Sequence, residues 1–376
     1  MAARLEAAKA EADRVKDQLE ARREETEGQL DEIWQEIGLP DEGQFGFGVV
    51  RRLQGHFGKI YALHWAGDGT HLVSASQDGK LLVWNAFTET KQISVNLKSA
   101  WVMTCAYEQE TQKFVACGGL DNVCSVVDVS NPAVSQLSEP KCELTGHQGY
   151  LSCCRFIGTE DILTSSGDST CVLWDLETSS KKTTFTDHAA DVMSVSMHPT
   201  DKNVFCSGSC DGSVRSWDIR SGGCTHTFFG HDSDVNAVEF FPSGNVVSSA
   251  SDDSTCRMFD LRARGTIAVF SDPAKVGACV TSICHSSSGA ILFAGYEDHT
   301  AVGWATTSQK LKWYEMGQTK ERARATADGG RRVGHTARVS CLGVNKMGQA
   351  LATGSWDQTL LVWSTSEDAG SGGGGE

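Results

Sequence analysis

The chain has 376 residues, a formal net charge of −15, 40% hydrophobic residues and 14 Cys. That acidic balance disfavours general affinity for nucleic acid, which needs Lys or Arg to replace phosphate counterions. No run approaches the ~18 consecutive apolar residues of a membrane-spanning helix, and the charged N-terminus argues against a secretory signal. The expected setting is therefore cytoplasmic. Cys105, Cys153, Cys154, Cys256 and Cys341 fall inside apolar strand runs, where free thiols behave as small hydrophobes in a reducing compartment.

Residues 1–36 differ from everything after them, with no Gly before Gly28 and an abundance of Ala, Glu, Arg and Lys. Leu5, Ala8, Ala12, Val15 and Leu19 follow a 3–4 alternation over two heptads, flanked by Lys9–Asp13 and Lys16–Glu20 at helix-compatible spacing. A helix is expected over residues 1–38, ending at Gly38-Leu39-Pro40. Its narrow seam cannot be buried on itself, so it docks on the following domain, meets a second helix or remains a solvated tail. A partner helix suits the heptads best. Ala8 and Ala12 fill little volume and Arg22 interrupts the seam, so pairing needs added contacts.

From residue 45 one pattern is struck seven times. In its fullest form it runs from Gly146-His147 to Trp174-Asp175, with two short apolar runs between, each ended by Gly, Asp or Ser. Turn Asp residues align at Asp78, Asp121, Asp168, Asp211, Asp253, Asp298 and Asp357. Six residues after each stand Trp84, Val127, Trp174, Trp217, Phe259, Trp304 and Trp363. A His precedes the Asp by 21 to 23 residues in five copies, as His56, His147, His188, His231 and His335, and is missing from copies two and six. Successive Asp residues are 42 to 47 residues apart except before the last copy, where the interval is 59. This matches the roughly 40–45-residue period of WD-type blades.

The expected fold is all-β, a seven-bladed WD-repeat β-propeller over residues 45–366 behind an N-terminal coiled-coil helix. The strand-like run 45–53 has no blade of its own, and the seventh copy runs out at Val362-Trp363. Lending the first strand to the last blade closes the ring and limits exposed edges. All six Pro fall in links between strands. Residues 318–332 form an insertion before blade seven, basic in an acidic protein, which is either disordered or a loop that touches a partner. Residues 367–376 are a Gly-rich tail expected to be disordered.

Repeated His, Asp and Ser look like catalytic stock, and Gly167-Asp168-Ser169 echoes a serine-protease fragment. A set that recurs in most blades is more simply a hydrogen-bond network, in which Asp and His brace the turns and a strand Ser and the Trp N–H complete it. There is no phosphate-binding Gly-rich loop and no His-Glu-x-x-His. Cys206, Cys210 and His198 lack the spacing of a zinc site. No metal, no cofactor and no enzymatic activity are expected.

More informative are the addresses where the copies disagree. Three residues after the His, or its equivalent place, the copies read Lys59, Trp101, Tyr150, Asp191, Asp234, Cys279 and Arg338. Two residues on they read Tyr61, Met103, Ser152, Met193, Asn236, Thr281 and Ser340, returning to the same face. Just before the turn Asp come Gln77, Leu120, Gly167, Cys210, Asp252, Glu297 and Trp356. A core position would be uniformly apolar. These addresses are expected to crowd one end of the ring as a surface for an asymmetric partner, with aromatic and Met anchors ringed by charge.

Several stretches are specific to one family. Ser76-Gln77-Asp78-Gly79-Lys80-Leu81, Trp101-Val102-Met103-Thr104-Cys105-Ala106-Tyr107, Ala116-Cys117-Gly118-Gly119-Leu120-Asp121-Asn122, Gly149-Tyr150-Leu151-Ser152-Cys153-Cys154-Arg155-Phe156 and Ala352-Thr353-Gly354-Ser355-Trp356-Asp357 closely resemble the beta subunit of heterotrimeric G proteins, a likeness spanning about residues 1–364. The resemblance implies a propeller whose N-terminal helix coils against a gamma subunit. It implies a narrow face that binds the GDP-loaded alpha subunit and, once released, effectors, in signalling from G-protein-coupled receptors. By that resemblance the contact positions are Lys59, Tyr61, Trp101, Met103, Leu120, Tyr150, Asp191, Met193, Asp234, Asn236, Asp252 and Trp356, with Arg338 added by the comparison of blades. Such a subunit has no catalysis of its own and sits at the inner face of the plasma membrane only through lipidated gamma and alpha partners. The chain departs from the pattern at Val127, at Ala305 after Trp304, and in its insertion and tail. The competing class is a WD-repeat scaffold in another assembly, such as a ubiquitin-ligase substrate receptor or a ribosome-associated adaptor, which has no need of the seam at Leu5 to Leu19.

Overall fold

The computed structural model describes residues 47–131, 135–307 and 334–365. The expected helix 1–38 with its seam, the insertion 318–332 and the tail 367–376 lie outside the described residues. Seven sheets follow one another along the chain, antiparallel except where Thr90–Asn96 pairs in parallel with the short Gln136–Leu137. Their innermost strands are Ile60–Trp65, Val102–Tyr107, Leu151–Ile157, Val192–Met197, Val235–Phe240, Val280–His285 and Val339–Val344. Each inner strand lies beside the next and the seventh beside the first, which makes a seven-bladed β-propeller.

The ring is closed by chain ends that are far apart in sequence. Phe47–Gln54 pairs antiparallel with Thr359–Thr365, from Gln54 opposite Thr359 to Phe47 opposite Thr365, with a register shift between Val49 and Arg51. Blade seven therefore has its outermost strand from the N-terminal side and its other three from the C-terminal side. Such closure leaves the ring without a free blade to seek an outside partner strand.

Within a blade, burial falls from the middle outward. His71–Ser76, Val204–Ser209 and Val246–Ser251 each contain five consecutive buried residues, because neighbouring blades cover both faces. Polar-apolar alternation is accordingly lost there, and small residues take its place. The outer strand Ser180–Phe185, Ser-Lys-Lys-Thr-Thr-Phe, is largely exposed and polar.

There is no central core. The buried apolar residues fall into seven clusters, each in the seam between two consecutive blades. One such seam joins Ile60, Trp65 and Trp84 of blade one to Leu53, Leu360 and Val362 of the last blade. The seams demand small residues three positions before each turn Asp: Ala75, Gly118, Ser165, Gly208, Ala250, Gly295 and Gly354. A Cβ at Gly208 would stand 2.7 Å from methyl carbons of both Val235 and Val238 in the next blade.

Polar bonds cross every seam as well. In order around the ring, the Tyr107 N–H donates to His64 Nδ1 at 2.9 Å, the Cys154 N–H to Thr104 Oγ1 at 3.2 Å and the Ser152 hydroxyl to the Val192 carbonyl. The Val238 N–H donates to Ser194 Oγ at 3.3 Å, the His285 N–H to Glu239 Oε2 at 2.9 Å and Thr281 Oγ1 to the Val339 carbonyl at 2.6 Å. Trp65 Nε1 closes the circle on the Gly343 carbonyl at 2.8 Å. Blade positions are thus fixed by direction as well as by apolar contact, which holds side chains from different blades at set distances on the ring face.

Candidate functional site

Blade three shows how the repeated residues work. His147 Nδ1 lies 2.9 Å from Asp168 Oδ2, and Nε2 lies 2.8 Å from Thr164 Oγ1, which also accepts the Trp174 indole N–H at 2.8 Å. Asp168 accepts further bonds from the Gln148 and Thr170 N–H groups and from Thr170 Oγ1. Burial pushes the Asp168 carboxyl up, but the bonds from Thr170, Gln148 and His147 outweigh it and hold it at about 2. Burial lowers the His147 pKa against the pull of Asp168, which keeps the ring neutral. Thr164 is fully buried, so its hydroxyl cannot serve as a nucleophile for any substrate in solvent. This His-Asp-hydroxyl-Trp pillar is structural.

Blades one, four and seven repeat it with His56, Asp78, Ser74 and Trp84; His188, Asp211, Ser207 and Trp217; and His335, Asp357, Thr353 and Trp363. Blade five keeps His231, Asp253 and Ser249, with Phe259 in place of the indole.

The two copies without His solve the problem differently. In blade six Lys275, 23 residues before Asp298, donates from Nζ to Asp298 Oδ2 at 2.8 Å and to Thr300 Oγ1 at 2.6 Å, while Trp304 stays fully buried. Sequence reasoning missed Lys275; the offset that locates His in the other copies points straight to it. In blade two the residue at that offset, Lys98, turns to Glu143 at 2.8 Å. Asp121, placed in the network by spacing, stands outside it: it is exposed and, among the described residues, accepts only a long 3.4 Å bond from the Val123 N–H.

The pillars bind each His-containing link to its Asp-containing turn, so the variable addresses gather on one end of the ring. Around blades seven, one and two they form a cluster. The Tyr61 ring lies 6.3 Å from that of Trp101 and 6.0 Å from that of Trp356. Lys59 Nζ sits 3.9 Å above the Trp356 ring and the Arg338 guanidinium 5.1 Å from it, with Glu297 3.7 Å from Arg338. Two cations over one indole are held by the ring quadrupole. The Trp356 indole N–H is buried without an acceptor among the described residues, a state that native interiors seldom leave unmet.

Trp101 is 42% exposed and has φ +66°, a left-handed backbone that a bulky side chain rarely adopts. The strain is held in place by its neighbour across the turn. A Cβ at Gly119 would lie 2.0 Å from the Trp101 carbonyl oxygen, so only Gly permits this approach. Leu120 follows, 51% exposed, and Met103 is half-buried nearby on the same blade.

Blades three to six carry a different surface. The Tyr150 hydroxyl donates to Asp191 Oδ2 at 2.9 Å and reaches Met193 Sδ at 3.4 Å. Gly167 belongs under this ring, since a Cβ there would lie 2.3 Å from it; its smallness serves Tyr150. Asn236 Nδ2 bonds Asp252 Oδ1 at 2.5 Å and the Val280 carbonyl at 2.9 Å. Burial, then the carboxylate of Asp234, pushes the Cys210 thiol up to about 12, and burial with Asp252 and Glu297 does the same to Cys279. The sequence-expected residues thus fall into two groups: an aromatic and cationic one (Lys59, Tyr61, Trp101, Arg338, Trp356, with Met103 and Leu120) and an acidic, hydrogen-bonded arc (Tyr150, Asp191, Met193, Asp234, Asn236, Asp252). Among the described residues no group of three or more His, Cys, Asp or Glu could hold a metal ion, and no helix is long and apolar enough to cross a membrane.

A family model described as G protein beta WD-40 repeat protein matches residues 2–364. Among curated relatives, a "Guanine nucleotide-binding protein G(I)/G(S)/G(T) subunit beta-1" from Homarus americanus is 45% identical over 364 residues, covering 96% of this chain and 99% of its own. The "Guanine nucleotide-binding protein subunit beta" of Arabidopsis thaliana is 41% identical over 325 residues, covering 83% and 82%, and the subunit beta-1 of Nicotiana tabacum is 43% identical over 324, with the same coverage.

Proposed function

The chain belongs to the G protein beta WD-40 repeat family, and from that membership we propose that it works as the beta subunit of a heterotrimer. Residues 1–38 pair with a gamma subunit through Leu5, Ala8, Ala12, Val15 and Leu19. The ring face binds the alpha subunit in its GDP state and, when that subunit leaves, effectors of receptor signalling. The chain contributes surface, with no catalytic step and no cofactor, and reaches the membrane through its lipidated partners.

The observation that carries this reading is the cluster of Trp101, Tyr61 and Trp356 under Lys59 and Arg338. An exposed ring, Trp101, beside the half-buried rings of Tyr61 and Trp356 and two cations has the composition of a binding hot spot. The acidic arc at Asp191, Asp234 and Asp252 supplies orientation and steering for a partner of opposite charge.

The test is capture of an alpha subunit by the full chain co-expressed with a gamma subunit, with alpha loaded with GDP or a non-hydrolysable GTP analogue. Binding in the GDP state alone, weakened by Trp101→Ala and Lys59→Ala, is expected. Equal capture in both states, or none, would overturn the proposal. Tight capture of some other assembly by the ring alone would favour the scaffold reading instead.

A further inference from the structure

The inner strands send alternate side chains into the seams and into the central channel that a propeller encloses. Leu63 and Trp65, on either side of His64, belong to a seam cluster, which leaves the residue between them for the channel. At this fifth place of the seven inner strands the chain reads His64, Ala106, Arg155, Ser196, Glu239, Cys284 and Gly343. Four of these are small, so ionisable side chains from blades one, three and five share one roomy level of the channel. His64, Arg155 and Glu239 are half-buried there.

Arg155 is a cation without a counter-charge. Its Nη1 donates to the Cys154 carbonyl at 2.7 Å and to the Cys105 carbonyl at 3.5 Å, and among the described residues no carboxylate pairs with it. A guanidinium stays charged at any working pH, and an interior charge is ordinarily matched by an opposite one. With Nη1 occupied, Nε–H and the Nη2–H beside it remain as two parallel donors, the fork that takes a planar oxyanion bidentately. His64 adds a donor whose tautomer the backbone sets. The Tyr107 N–H donates to His64 Nδ1 at 2.9 Å, so the proton of the neutral imidazole sits on Nε2. Burial, then Arg155, lowers the His64 pKa to about 3, which keeps that ring neutral. Ser196 Oγ accepts the Phe240 N–H at 3.2 Å and retains its own hydroxyl hydrogen to give.

We propose that this level of the channel binds a small planar monovalent oxyanion, of the size of bicarbonate or nitrate, on the Nε–H and Nη2–H of Arg155, with His64 Nε2–H as a further donor. Glu239 gates the site. Its Oε2 accepts the His285 N–H at 2.9 Å. Burial pushes its carboxyl up to about 8, against the His285 bond and Arg155, so near neutral pH it is an uncharged acid that does not compete for the guanidinium. Its other titratable neighbours are the Cys206 thiol of blade four and the Cys284 thiol of blade six, both held protonated by burial. Once ionised, Glu239 faces the anion with like charge, and affinity falls. The inference does not depend on the ring face having a partner.

Titration of the full chain, kept soluble by a co-expressed helical partner if it needs one, tests this with sodium nitrate and sodium chloride at constant ionic strength. NMR of the Arg155 Nε–H group locates the site. Nitrate is expected to move that resonance saturably at pH ~7, and chloride, which cannot use both arms of the fork, to bind about tenfold more weakly. From pH ~7 to pH ~9 nitrate affinity should fall about tenfold, following the protonated fraction of a group that titrates at about 8. Glu239→Gln keeps an oxygen for the His285 N–H and should bind nitrate equally at both pH values. Arg155→Lys keeps the charge, loses the fork and should bind nitrate and chloride alike. No saturable shift at Arg155, shifts confined to the rim cations Lys59 and Arg338, a nitrate preference that survives Arg155→Lys, or an undiminished pH dependence in Glu239→Gln would overturn the proposal. If Arg155→Lys does not fold, the Arg155 resonance and Glu239→Gln decide alone.

Discussion

Blades two and three share one backbone frame and sit side by side, yet one fills its interior with a pillar and the other with the small buried residues Cys117 and Val127. In blade three a single buried hydroxyl, Thr164, joins an imidazole above to an indole at its side. In blade two the corresponding residue is Cys117, whose thiol bonds only the Ser125 carbonyl, and the aromatic positions hold Lys98 and Val127. The contrast teaches that the pillar is not what makes a blade. Seam packing and inter-blade bonds suffice for that, as Leu151 against Gly118 and the Cys154 N–H on Thr104 show for the junction of these two blades. The pillar instead ties the ring-face link to its turn. Where it is absent, the face is held by other means, including the strained backbone at Trp101.

This comparison can be broken most sharply at Trp174. Trp174→Ala should cost about 3–5 kcal/mol, the range for deleting a large buried aromatic, read as a lower denaturant midpoint with unchanged slope. A loss below about 1 kcal/mol would mean that closed blades are as independent of their pillar as blade two. Next comes Thr164→Val, which leaves the Trp174 N–H without an acceptor and His147 Nε2 without a donor. Each unmet group costs about 1–3 kcal/mol, whereas Cys117→Val in blade two should be close to neutral. A similar cost for both would erase the distinction. Lys275→Met asks whether blade six has rebuilt a pillar. Loss of its bonds to Asp298 and Thr300 should lower stability by about 1–2 kcal/mol, less than a fully buried ion pair because Asp298 is partly exposed. Smallest is Trp101→Gly: removing a bulky residue from φ +66° relieves strain, so thermal unfolding should not fall by more than about 0.5 kcal/mol while partner capture is lost. On the proposed function, pillar residues carry stability and rim residues carry binding.

The pillars also set a pH response. The Asp168 carboxyl is held at about 2, below its ordinary 3.8, so its contribution is present above pH ~4 and is lost as the pH falls toward 2. The His147 pKa is lowered from 6.5, so the unfolded chain binds that proton first and stability begins to fall below pH ~6.5. Acid unfolding should therefore start above the carboxylate range. Replacing His147 by Gln, which keeps polar reach without titrating, should delay its onset; an onset unmoved by that change would place the early loss elsewhere.

Much of this was legible in the residues. Seven turn Asp residues at near-constant spacing define the blades, because a repeating unit leaves a repeating trace. That Lys59, Tyr61, Trp101 and Trp356 share one end of the ring was legible through disagreement among copies, since a core address would not hold aromatics and both charges. What escaped had physical reasons. Lys275 occupies the His offset but bears another letter, so a search by residue type passed over a cation that does the same work for Asp298. Asp121 kept the spacing without the network, because spacing records the turn and says nothing of what caps it. Gly167 varied for the sake of the Tyr150 ring, a contact visible only in three dimensions. The left-handed backbone at Trp101 has no Gly or Asn to announce it; the enabling residue is Gly119, across the blade.

The pairing of Phe47–Gln54 with Thr359–Thr365 also sets a clock. Thr359 lies 305 residues after Gln54, and chains are synthesised at roughly 5–20 residues per second, so the first strand waits about 15–60 s for its partner to exist. Throughout that interval a strand edge is unpaired, and the seam built on Leu53, Ile60 and Trp84 lacks Leu360 and Val362. Six blades can form as they emerge, but the ring itself is born all at once, at the end.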